Sequence, residues 1–194
     1  MGGTRQPVEP AMEARFRLAK FAKDEGNAVR ELALMKELQQ ADLAAGAART
    51  PRTRYLGATA ALALAQPAVD DYKKVALVEP LKQNLKVKKA KFETALKAYA
   101  AAAEYGVADV NTAATFRSAE LYADFGKAMI SSQRPKNLSK LELEQYNVLL
   151  EEQAYPFEEK AIELHEVNAH RTADGIYDKW VKDSFAALTK RHGA

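Results

Sequence analysis

Apolar residues recur along this chain at steps of three, four and seven, the spacing that lines one face of an α-helix. Over residues 10–25, Met12, Phe16 and Ala19 form such a stripe, with Leu18, Phe21 and the Lys20 stem beside it, and Gly26 ends it. Asn27 stands where a helix N-cap belongs, and Leu32, Met35, Leu38 and Leu43 predict a second helix reaching Gly46. Thr50-Pro51 supplies a capping hydroxyl and then a proline in the first turn, opening a third helix that extends to Ala65. Pro67 breaks or kinks the chain, and a fourth segment, Ala68 to Leu77, is stopped by Pro80.

From Pro80 to Tyr105 the stripe Leu81, Leu85, Phe92, Leu96, Tyr99 and Ala103 is uninterrupted and Gly106 closes it, a helix of roughly 39 Å. Asp109 or Asn111 is placed to cap the next helix, with Val110, Ala114, Leu121, Phe125 and Ala128 inward and a stop before Pro135. Ser139-Lys140-Leu141-Glu142 fits a capping box. Leu143, Tyr146, Leu150, Ala154, Phe157, Ala161, Leu164 and Asn168 then keep one phase across Pro156, which predicts one long helix bent at the proline. A last helix, 177–190, carries Trp180, Val181, Phe185 and Leu188 on its apolar face, and Phe92, Phe125, Phe157 and Trp180 are expected to be buried.

Short links force consecutive helices to pack antiparallel. The fold class is therefore all-α: helix pairs 10–46, 50–78, 80–130 and 139–190 in a single domain over 9–191. Residues 1–8 form a leader, disordered or left over from cloning. Composition agrees, since 38 Ala accompany only 9 Gly and 7 Pro, too few turn residues for a β-sandwich or barrel. Alanine at contact positions lets helices approach closely, which favours an open stack of pairs over the competing closed bundle.

The chemistry of the sequence excludes more than it offers. Cys is absent, so disulfides, thiolate zinc sites and cysteine nucleophiles are ruled out. No stretch approaches the ~20 apolar residues of a membrane span, and the first residues lack a signal-peptide layout. His165-Glu166-Val167-Asn168-Ala169-His170 nearly spells the zinc-protease motif, but its histidines are five apart and Ala169 occupies the ligand position. No Glu stands three residues before a His, as di-iron carboxylate sites require, and neither a nucleophile elbow nor a glycine-rich phosphate loop occurs. No metal, cofactor or catalytic residue is expected, and an enzyme is not.

Charge is distributed unevenly. Residues 49–97 hold eleven Lys or Arg against four Asp or Glu, whereas 138–178 hold three against ten. Lys82, Lys86 and Lys89 share one face of the long helix, with Lys88 and Lys91 near it and Arg52 and Arg54 as possible support. Such a stripe suits an anionic protein partner or a nucleic acid. The bland reading is a solvated face balanced by the acidic third, within the molecule or in the next repeat. Phe92 and Tyr99 lie on the apolar stripe, so stacking groups for single strands are missing.

Ala119-Glu-Leu-Tyr122-Ala-Asp-Phe125-Gly-Lys-Ala128, closed by Pro135, has the small-and-aromatic rhythm of a tetratricopeptide repeat. Arg54-Tyr-Leu-Gly57, Tyr72-Lys-Lys-Val-Ala-Leu-Val-Glu-Pro80, Lys88-Lys-Ala-Lys-Phe-Glu-Thr-Ala-Leu-Lys-Ala-Tyr99, Tyr105-Gly-Val-Ala-Asp109 and Asp174-Gly-Ile-Tyr-Asp-Lys-Trp180 extend the likeness, as does Gln145 to Ala161. Together they resemble the C-terminal region of large tetratricopeptide-repeat proteins of Gram-negative bacteria, including gliding myxobacteria. The resemblance implies a TPR-like right-handed solenoid with some overlong helices, a scaffold for protein–protein interaction, and a periplasmic or cell-envelope setting in envelope or motility assemblies. A cytoplasmic setting stays open. Relatives carry an upstream secretion signal and a Pro/Arg/Tyr-containing end, whereas this chain ends Lys190-Arg-His-Gly-Ala194, as expected of a piece of a longer parent. The functional expectation is a non-enzymatic adaptor; the alternative is nucleic-acid or anionic-partner binding through the lysine stripe.

Overall fold

A computed structural model describes residues 7–192. All regular structure among the described residues is helical. The α-helices are α1 Val8–Asp24, α2 Ala28–Ala44, α3 Pro51–Leu64, α4 Gln66–Lys73, α5 Leu81–Ala103, α6 Ala108–Ile130, α7 Lys140–His170 and α8 Lys179–His192, with 3-10 turns at Gly46–Ala48 and Arg171–Asp174. Residues 1–6 of the expected leader lie outside the described residues, and Val8 already opens α1. The chain divides into two compact units, one running up to Gln66 and taking in Ala98–Asn111, the other formed by Pro67–Lys97 and the chain from Thr112 onward.

Local chemistry sets the helix ends of the first unit. The Asn27 side chain accepts from the Arg30 amide, and Thr50 and Thr53 cap each other reciprocally at the start of α3. Gly26, at φ +72°, makes the left-handed turn out of α1 that an L side chain resists. Helix α2 ends at Ala44, two residues before Gly46, because the chain tightens into the 3-10 turn there. Met12, Ala19, Met35, Leu38, Leu56 and Ala60 from the three helices form one core cluster. A second cluster joins Ala58 and Ala61 of α3 to Ala102, Tyr105 and Val110.

Three apolar assignments in this unit are corrected. Leu18, Phe21 and Leu43 are exposed, and Asp42, next to Leu43, is buried. Arg49 makes this possible, donating from Nε to both Asp42 oxygens at 3.1 Å and from Nη2 to Oδ2 at 2.8 Å, since a buried carboxylate persists only when paired.

The second unit is built around aromatic rings. Phe92 of α5 stacks on Phe125 of α6 with centroids 4.9 Å apart, and Phe157 of α7 meets Phe125 edge-on at 4.8 Å. Tyr72 of α4 and Tyr122 of α6 complete the cluster. Phe92 and Phe125 are buried as expected, but Phe157 and Trp180 are only half-buried and Phe185 is exposed. Trp180 lies in the first turn of α8, packed on Phe116 at 5.5 Å with Arg117 and Lys179 over its ring, so part of its surface stays in water.

Several helix boundaries differ from those expected, and α8 begins at Lys179 rather than Tyr177. The fourth helix ends at Lys73 rather than Leu77, and residues 74–80 form a loop held by Gln133, whose amide donates to Leu77 O while its side chain accepts from the Glu79 amide. Pro67 falls in the first turn of α4, where its missing amide costs nothing. Helix α6 begins at Ala108, which puts Asp109 in its first turn instead of at its cap. Helix α7 begins at the expected Ser139–Glu142 capping box and continues through Pro156 for 31 residues.

Candidate functional site

Helix α5 has one buried face and one open face, and the divide is a residue away from where the hydrophobic pattern alone puts it. Phe92, Ala95 and Tyr99 are buried, while Leu85 is 40% exposed. The position it vacates is taken by Lys88, only 5% exposed. Its ammonium donates to Tyr72 O at 3.1 Å and Val75 O at 2.8 Å and sits 3.9 Å above the Tyr72 ring. Tyr72 lies in the last turn of α4 and Val75 just beyond it, a helix C-terminus that favours a cation. Burial lowers the Lys88 pKa, with the Asp124 carboxylate opposing. Asp124 also accepts from the Tyr72 hydroxyl at 2.7 Å, and burial followed by that bond raises the Tyr72 pKa. Lys88 is thus a structural lysine, separate from the stripe it adjoins in sequence.

Lys82, Lys86 and Lys89 lie together on the open face of α5, all exposed. At steps of four and three they fall within one sector of the helix surface. Helical spacing adds Lys97 to the same row, interrupted once by Glu93, and Lys97 is exposed too. None of these four lysines has an ion-pair partner among the described residues. Lys97 escaped notice in the sequence because Glu93 breaks the run. Lys91 is exposed on another side of the helix.

Arg52 and Arg54 belong to the first unit, on α3, whereas the lysine row lies in the second. Both arginines are exposed. Arg52 is engaged by Glu13, with Nη2–Oε2 at 3.1 Å and a second, shorter bond from Nε to Oε1, and it lies over the Tyr55 ring. The guanidinium holds the Glu13 carboxyl below its ordinary pKa. Arg52 therefore serves the α1–α3 contact.

Helix α7 carries the opposite charge. Its exposed side holds Glu144, Glu151, Glu152, Glu159, Glu163 and Glu166 around Leu141, Val148, Leu149 and Tyr155. Beside Tyr155 an open groove of about 380 Å³ runs between α6 and α7, lined by Gly126, Ile130, Ala154 and Tyr155 with Lys127 and Glu158 at its rim.

The inner side of α7 holds a buried polar network. His165 Nδ1 is 3.1 Å from Ser184 Oγ, and Asn168 Nδ2 donates to Ser184 Oγ and to Thr112 O, each at 3.0 Å. Burial lowers the His165 pKa to about 4, reinforced by Arg191 and opposed by Glu158. The neutral imidazole shares one hydrogen bond between Nδ1 and Ser184 Oγ, and Ser184 Oγ also accepts from Asn168. Asp178 accepts from the Trp180 and Val181 amides at 3.0 Å and from Thr112 Oγ1, capping α8. His165, Ser184 and Asn168 are sealed from solvent, so the network fixes α6, α7 and α8 to one another and presents no nucleophile. His170, the other half of the near-motif, is exposed. Among the described residues no three metal-ligating side chains converge and no helix is long and apolar enough to cross a membrane.

Compared with protein-family models, curated proteins and solved structures, the chain matches none.

Proposed function

We propose that the chain is a non-enzymatic helical scaffold that binds a protein partner through the lysine face of α5. The observation that carries the reading is the open row Lys82, Lys86, Lys89 and Lys97, exposed and without ion-pair partners among the described residues, on a helix whose other side is the unit's aromatic core. A row of cations on a rigid support attracts an anionic surface and fixes its register at little entropic cost. TPR-like stacking of antiparallel pairs, and a place in a bacterial envelope or motility assembly, belong to the same proposal; they rest on the sequence resemblance.

The test is capture of partners by the immobilised chain after nuclease treatment, comparing wild type with Lys82→Glu/Lys86→Glu/Lys89→Glu. A charge-matched control reverses the exposed Lys23, Lys36 and Lys190. The scaffold reading expects proteins that are held by wild type and control and lost by the stripe variant, with helicity unchanged. Equal capture by all three contradicts it. Binding of duplex DNA at about 50 mM salt that vanishes steeply as salt rises moves the assignment to nucleic acid.

A further inference from the structure

Resting on the reading of the α5 face as a binding surface, we propose its occupant: the acidic outer face of α7 from a second copy of this chain. The two faces are complementary in charge, spacing and apolar content. Along α5, Lys82, Lys89 and Lys97 are separated by seven and eight residues; along α7 read backwards, Glu159, Glu152 and Glu144 are separated by seven and eight. An antiparallel pairing therefore sets all three lysines opposite glutamates over a span of roughly 22 Å. In the same register Leu85 meets Tyr155 and Pro156, and Glu93, the one acid in the lysine row, meets Val148 and no carboxylate.

The apolar component makes this more than mutual attraction of surface charges. Leu141, Val148 and Tyr155 repeat every seven residues on α7 and are 64%, 54% and 61% exposed. A seven-residue apolar row flanked by charges is the seam by which one helix receives another, with the flanking charges choosing partner and direction. On α5 the exposed Leu85 stands among the lysines. Isolated surface ion pairs contribute little each; three in register around a covered seam act together. The Glu159 carboxylate accepts a hydrogen bond from the Tyr155 hydroxyl and so raises the tyrosine's pKa, which places Tyr155 beside the first of these pairs.

Sedimentation velocity on the full chain tests the pairing. Wild type is expected to self-associate in a concentration-dependent manner at about 50 mM salt, and association weakens at least about tenfold at about 500 mM. Lys82→Glu/Lys89→Glu/Lys97→Glu and Glu144→Lys/Glu152→Lys/Glu159→Lys should each be monomeric, because each presents like charges to itself. An equimolar mixture of the two variants should associate again, since each face then finds its opposite. All six positions are exposed, and circular dichroism confirms that each variant stays helical. A monomeric wild type, variants that associate as well as wild type, or a mixture that stays monomeric each overturns the pairing. If self-association is absent while the stripe variant still loses a captured protein, the self-pairing falls and the scaffold reading stands; if the stripe variant loses nothing, both fall.

Discussion

Lys88 and Lys86 are two residues apart on one helix and do opposite things. Lys88 offers its charge to two backbone carbonyls inside the second unit, while Lys86 stands in water. Replacing Lys88 by Ala strands those acceptors and should cost about 2 kcal/mol, whereas Lys86→Ala should change stability by less than about 0.5 kcal/mol; urea unfolding of the two variants checks the contrast. His165 gives a pH signature. Its folded pKa of about 4 lies below the ordinary histidine value, so the unfolded chain takes up the proton first. The stabilisation is complete above about pH 6.5 and is lost as pH falls towards 4, by about 3 kcal/mol in all. His165→Gln should flatten that part of the pH–stability curve, and an unchanged slope would show that the titrating group is elsewhere. Neither role was legible in the sequence: a lysine among lysines reads as surface, and only the end of α4 beneath it tells Lys88 apart. Asn168, by contrast, sits on the predicted stripe of α7 and is buried there.

At the scale of elements, the sequence is read well where the signal is local. The Asn27 and Thr50 caps, the Ser139 box and the Gly106 stop all stand where the local sequence puts them. Errors enter where a distant contact decides, as in the loop 74–80, which Gln133 holds out of helical form from 54 residues away. Close helix approach was equally hidden. A Cβ on Gly57 would lie 2.8 Å from Asp42 Cβ and 3.0 Å from the Tyr105 ring, whereas one on Gly126 meets Ala154 O at an ordinary 3.4 Å. Gly57→Ala should therefore destabilise by roughly 1–3 kcal/mol, and Gly126→Ala should stabilise by up to about 1 kcal/mol through helix propensity. Thermal unfolding of the pair separates a glycine needed for packing from one that is not.

For the whole molecule, the all-helical class follows directly from the three-four-seven periodicity, and charge asymmetry along the chain foreshadows the two exposed faces of α5 and α7. The individual surface residues were less legible. Arg52 pairs with Glu13, 39 positions away, and Lys97 was passed over because Glu93 interrupts the lysine row, although one helix over 80–105 was already expected. What remains as the candidate site is a basic face and an acidic one, each built on a helix whose inner side contributes to an aromatic core.

The central claim is that the α5 lysines are covered when the protein is at work. Amine-reactive labelling measures this lysine by lysine, comparing concentrated source extract with the purified chain at high dilution. Lys82, Lys86 and Lys89 should label several-fold more slowly in the extract, while Lys23 and Lys36 label at the same rate in both. Uniform labelling across all five lysines would mean that the face is merely solvated, and the account would be wrong.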